Sequence, residues 1–114
     1  MNITTEGCTI DYDSETVTVS FKGSLRLSGM EEYQPIVDLL NNVVQEDKPV
    51  ITLDLKGLEF LNSSGISMLS KFVINVRKKG SMVICVKGSK AIAWQDKSLK
   101  NLQRLMPTLT LEFE

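Results

Sequence analysis

The chain has 114 residues, 42% hydrophobic and 24% charged, the size and make-up of one globular domain with a core of its own. Its 13 Lys and Arg stand against 14 Asp and Glu, a formal net charge of −1, and this excludes the basic stripe that nucleic-acid binding demands. The absence of histidine excludes Ser-His and Cys-His nucleophile pairs, imidazole general bases and His-ligated zinc.

Residues 1–9 carry neither the basic lead nor the apolar core of a signal peptide, and no apolar run approaches the roughly 18 residues of a membrane span. With Cys8 and Cys85 far apart and in no metal-ligand spacing, a reducing cytoplasm is the expected setting, with no membrane and no cofactor. Thr9 to Tyr12 can pair with the alternating run Thr16 to Phe21 across a turn at Asp13-Ser14-Glu15. A loop with glycine at both ends, Gly23 to Gly29, follows. From Glu31 to Gln45 the apolar residues Ile36, Val37, Leu39, Leu40, Val43 and Val44 recur at helical spacing, with Ser28 as candidate cap and Pro35 tolerated early.

Val50 to Leu55 is β-branched and nearly continuous in apolar character, the pattern of a central strand. A second helix is expected from near Ser63 to Lys79, with Ile66, Leu69, Val73 and Val76 as its buried stripe and Gly80 as its C-cap. The basic run Arg77-Lys78-Lys79 complements the negative end of that helix. Met82 to Val86 reads as another buried strand, which makes Cys85 a small core residue by default. Lys97 to Leu105 reads as a third helix stopped by Pro107, and Leu109, Leu111 and Phe113 alternate as a last short strand. Residues 1–114 therefore form a single α/β domain, a mixed sheet of about four to five strands packed against helices.

The informative stretch is Asp54 to Ile66, in which a buried strand leads through Asn62-Ser63-Ser64-Gly65 directly into a helix. Functional groups collect at the carboxyl ends of strands in open α/β sheets, and the free N–H groups and dipole of a helix start favour negative charge. A phosphate on Ser63 would add about −1.5 to −2 charge there, and a partner shaped for a neutral hydroxyl would then meet like charge or a desolvation cost. The competing reading is ordinary capping by Asn62, Ser63 or Ser64, with Gly65 serving only close helix–sheet packing.

Phe60-Leu61-Asn62-Ser63-Ser64-Gly65-Ile66 after a strand carrying Asp54 resembles the phosphorylation segment of STAS-domain anti-sigma factor antagonists, and the order of elements extends the likeness over nearly the whole chain. The resemblance implies a non-enzymatic protein-binding switch, phosphorylated on Ser63 or alternatively Ser64, with Asn62, Ser63, Ser64 and Gly65 in the partner-binding segment. It implies two partners, an anti-sigma factor that is also a serine protein kinase and a PP2C-type phosphatase. The chain departs from the family pattern twice. Asn62 replaces the usual acidic residue, and Arg26 stands where an aspartate is common in the loop before the first helix. Arg26 either pairs with a phosphate on Ser63, if the two loops meet, or is a solvated surface cation.

Met68 and Phe72 are partner contacts if the helical stripe leaves them exposed, and core residues otherwise. Trp94 fits either an interface anchor or packing beneath the third helix. Two further function classes stand beside the switch. One is a constitutive STAS scaffold or oligomerisation module in which Asn62-Ser63-Ser64 only caps a helix. The other is a small nucleotide-binding protein, for which neither a Walker loop nor a dinucleotide fingerprint is present.

Overall fold

In the computed structural model, which describes residues 1–114, the alternating and helical patterns resolve into six strands and three helices. The strands are β1 (Asn2–Thr5), β2 (Cys8–Asp13), β3 (Thr18–Leu25), β4 (Val50–Leu61), β5 (Val83–Gly88) and β6 (Thr110–Phe113). The helices are α1 (Gly29–Gln45), α2 (Ser63–Lys79) and α3 (Ala93–Leu105). All six strands form one sheet in the order β1-β2-β3-β4-β5-β6. The first two pairings are antiparallel hairpins, and the last three are parallel with a helix crossing over between each pair.

Because every parallel step advances in the same direction along the sheet, right-handed crossovers put all three helices on one face. The residues pointing to that face make the core. Ile10, Val19, Phe21, Ile51, Leu53, Leu55, Ile84 and Val86 from the sheet meet Ile36, Leu40, Leu69, Val73, Val76 and Leu99 from the helices, all of them buried. The opposite face is polar and solvated, with Asp11, Ser20, Asp54, Lys87 and Glu112 side by side across the strands.

Several boundaries differ from the sequence expectation. The strand β1, absent from it, pairs with β2 through Ile3 and Ile10. Polar Thr and Asn residues at alternate positions hide its period. The strand β3 starts only at Thr18, because Val17 turns the chain with φ 51°. It then runs through Gly23 to Leu25, where a loop was expected. Ser28 stands at the N-cap of α1 but makes no side-chain cap. Glu32 reaches back instead, and its carboxylate accepts from the Ser28 N–H at 3.1 Å. The end of α2 is as expected, with Gly80 in the left-handed conformation at φ 76° after the basic last turn.

Candidate functional site

The position of Ser63 is set by an irregular strand. Two register shifts against β3 give β4 extra residues between Asp54 and Phe60, so its buried side chains fall at Leu53, Leu55, Leu58 and Leu61 rather than at every second place. Pairing with β5 stops at Asp54, and the carbonyls beyond it need other donors. The start of α3 supplies them. Buried Gln95 donates its Nε2 to Leu55 O at 2.7 Å and Leu58 O at 2.9 Å, and its Oε1 accepts from Ser89 N–H at 2.7 Å. Trp94 donates its indole N–H to Glu59 O at 2.9 Å. Thus α3 begins four residues earlier than Lys97, and half-buried Trp94 packs within the domain beside Leu61, Ile66 and Leu69.

At the end of β4, the side chain of Asn62 is committed on both ends. Its Oδ1 accepts from Gly65 N–H at 2.9 Å, the helix cap, and from the Tyr33 hydroxyl at 2.6 Å. Its Nδ2 donates to Leu27 O at 2.7 Å. One residue thereby joins the start of α2, the first turns of α1 and the loop after β3. Burial raises the Tyr33 phenol above its usual value, which keeps the hydroxyl a protonated donor at neutral pH. An aspartate at 62 would set an oxygen against the Leu27 carbonyl, and this is a physical reason for asparagine here.

Gly65 is where α2 comes closest to β4. A Cβ there would strike Leu61 and come to 2.8 Å from the Tyr33 hydroxyl. Gly65 is buried and shapes the segment from within. Gly65→Ala is expected to cost about 1–2 kcal/mol in urea unfolding, because Leu61 and Tyr33 must shift together. Unchanged stability would mean that this contact relaxes without cost.

Around this anchored core Ser63 is exposed and Ser64 half-buried, and neither hydroxyl takes part in the Asn62 clamp. The cap occupies the Gly65 N–H, and Asn62 O accepts from Ile66 N–H at 3.0 Å. No acidic residue lies in the first turn of α2. An anion on Ser63 would therefore meet a helix dipole with no carboxylate against it.

The loops carrying Arg26 and Ser63 do meet, through Asn62 N–H to Leu25 O at 3.4 Å and the Leu27 contact. The Arg26 guanidinium lies over the ring of Phe60, 4.6 Å from its centroid. Met68 and Phe72 do not satisfy the exposure that a direct partner contact requires. Met68 is 1% exposed and Phe72 5%, because the i, i+3, i+4 stripe of α2 carries both into the core. They form the floor of a shallow groove of about 110 Å³ between α1 and α2. Asp54 lies mid-strand on the open face, where its carboxylate accepts from Lys56 N–H at 3.1 Å. Cys85 is half-buried on that same face rather than in the core. Burial, then its bond to Glu112, pushes its thiol up to about 11, which leaves little thiolate at neutral pH.

Tyr33 and Gln95 are the site residues that sequence reasoning missed. A signal existed for Tyr33, which shares the apolar face of α1 with Ile36 and Leu40 and carries the only polar tip on it. Gln95 left no such trace, because the carbonyls it serves exist only once β4 is folded.

A family model described as the STAS domain matches residues 23–103. Among solved structures, the complex of the diguanylate cyclase SiaD with its activator SiaC from Pseudomonas aeruginosa matches at 13% identity and a TM-score of 0.74, covering 100% of this chain and 99% of the other. Apo-SiaC from the same organism matches at 12% identity and 0.73, over 100% and 98%. An anti-sigma factor antagonist from Mycobacterium paratuberculosis matches at 20% identity and 0.66, over 94% and 88%. No curated protein sequence matches the chain significantly.

Proposed function

This chain belongs to the STAS-domain family, and from that premise we propose that it is a protein-binding switch turned off by phosphorylation of Ser63. The observation that carries the reading is an exposed hydroxyl on the first residue of α2, held by a clamp that does not use it. A group at that place can be modified without disturbing the cap. A phosphate there changes the charge of the surface while leaving the fold in place.

In this reading the partner is an anti-sigma factor that is also a serine kinase. It binds the surface around unmodified Ser63 and Ser64, which Asn62 and Gly65 hold in place from within. It transfers phosphate to Ser63, with Ser64 as the alternative acceptor, and a PP2C-type phosphatase reverses the step. The domain supplies surface and substrate hydroxyl, and the kinase supplies the catalysis. The SiaC complex supports widening the partner class, since there the same fold engages a diguanylate cyclase. No helix is long and apolar enough to cross a membrane, and the switch is expected to work in the cytoplasm.

The test combines intact-mass and peptide mass spectrometry of protein from its native cells with capture by variants. One phosphate on Ser63, varying with growth condition, is the expected result. Ser63→Ala is expected to retain the captured partner, and Ser63→Asp to weaken it at least about tenfold, a change of about 1.4 kcal/mol. If Ser63 stays unmodified in every condition and both variants capture the partner equally, the domain is a constitutive scaffold and the switch is refuted.

A further inference from the structure

Phe60 is the one exposed aromatic ring among the large hydrophobic residues, at 39% exposure, and it is partly roofed by Arg26. Arg26 forms no ion pair within 4 Å, although Glu6 and Glu32 line the same polar cleft. Its backbone is flanked by the two hydrogen bonds that Asn62 makes, one to Leu25 O and one to Leu27 O. The arginine is thus held alongside residue 62, at about the 4.8 Å spacing of neighbouring strands, with Ser63 one residue further on. A long side chain rooted there reaches either the Phe60 ring or a group on Ser63.

We propose that Arg26 is a two-position latch, stacked on Phe60 when Ser63 carries a hydroxyl and paired with the phosphate when Ser63 is modified, so that phosphorylation uncovers the Phe60 ring. The inference rests on the Ser63 switch and adds what the modified state presents. An exposed cation–π contact is weak, whereas a guanidinium and a phosphate form a charge-assisted pair with two parallel bonds. Neither carboxylate of the cleft pairs with the arm, and Glu32 is engaged with the Ser28 N–H. Modification then does two things at one end of the sheet. It repels the partner that reads a neutral serine, and it changes the same surface from a covered aromatic ring to an open one.

The experiment uses full-length protein carrying phosphoserine installed at position 63 during synthesis, so its outcome does not depend on any cellular kinase. Hydroxyl-radical footprinting read by mass spectrometry reports on the Phe60 ring, and ³¹P titration reports on the phosphate. Phosphoserine is expected to raise Phe60 labelling about twofold in the native chain. Arg26→Gln is expected to give the higher labelling in both states and to raise the second phosphate pKa by about half a unit, since the neighbouring cation is gone. Arg26→Lys is expected to keep part of the pKa effect, having the charge without the planar fork. Equal Phe60 labelling with and without phosphate, or a phosphate titration that ignores Arg26→Gln, would overturn the latch. Ser63 found unmodified in cells would instead sink the switch and leave the latch measurement standing.

Discussion

Replacing Asn62 by Ala is expected to lower the unfolding free energy by about 3 kcal/mol, the sum of a lost cap at about 1 kcal/mol and two orphaned groups at about 1 kcal/mol each. The orphans are the Leu27 carbonyl and the Tyr33 hydroxyl, both tied to Asn62 by part-buried hydrogen bonds. Tyr33→Phe removes one of them and is expected to cost about 1 kcal/mol alone. In the double variant the two losses should fall short of additive, because they share a bond. Asn62→Asp is the sharper comparison. It keeps the acceptor for Gly65 N–H and Tyr33 but turns the Leu27 contact repulsive, so it should lie between native and Asn62→Ala in urea denaturation. An Asn62→Asp variant as stable as the native chain would refute the clamp.

Gln95→Leu is expected to be worse still, at about 4 kcal/mol, since a side chain of similar size leaves three backbone groups without partners. The loss should also free the end of β4, so amide exchange should speed up at the Leu58 to Leu61 segment ahead of the rest of the sheet. Gln95→Glu adds a pH signature. Burial and the two facing carbonyls raise the folded pKa of the new carboxyl above its unfolded value, because only the protonated acid can donate to them. Its contribution to stability is then present below the unfolded pKa and lost as pH rises through the folded one. Thermal unfolding at pH 4 and pH 7 should show this variant gaining on the native protein at the lower pH. A difference from native that does not change with pH would contradict the assigned role of Gln95.

Most of the fold was legible because burial imposes a period. The stripe Leu69, Val73 and Val76, the run Val50 to Leu55 and the left-handed Gly80 each follow from one physical demand acting on neighbours in sequence. The site was half legible. Ser63 at the mouth of a helix could be read from the strand–Asn-Ser-Ser-Gly–helix grammar, since Asn62 caps and Gly65 clears space by local rules. What holds that mouth in place could not. Tyr33 is 29 residues from Asn62, Gln95 is 37 from Leu58, and such partnerships arise only when crossovers stack one strand end on another. Met68 failed for a related reason: its helical stripe was visible, but how deeply the stripe sinks depends on the neighbouring helix α1.

The sheet order carries a consequence for how the chain is made. Spatial order and chain order coincide from β1 to β6, so no strand has to slide between two that are already paired. Each new strand leaving the ribosome finds its neighbour already synthesised, and each crossover helix can settle on the edge just laid down. Assembly can proceed as growth at one rim, with a single unpaired edge advancing as synthesis advances. Within the site the end of β4 waits longest, because the Leu55, Leu58 and Glu59 carbonyls gain their donors only when α3 delivers Gln95 and Trp94, whereas the partners of Asn62 are already made. The strand leading into Ser63 thus becomes firm only after α3 has docked, and a nascent domain would present the Ser63 mouth on a fixed strand only from that stage on.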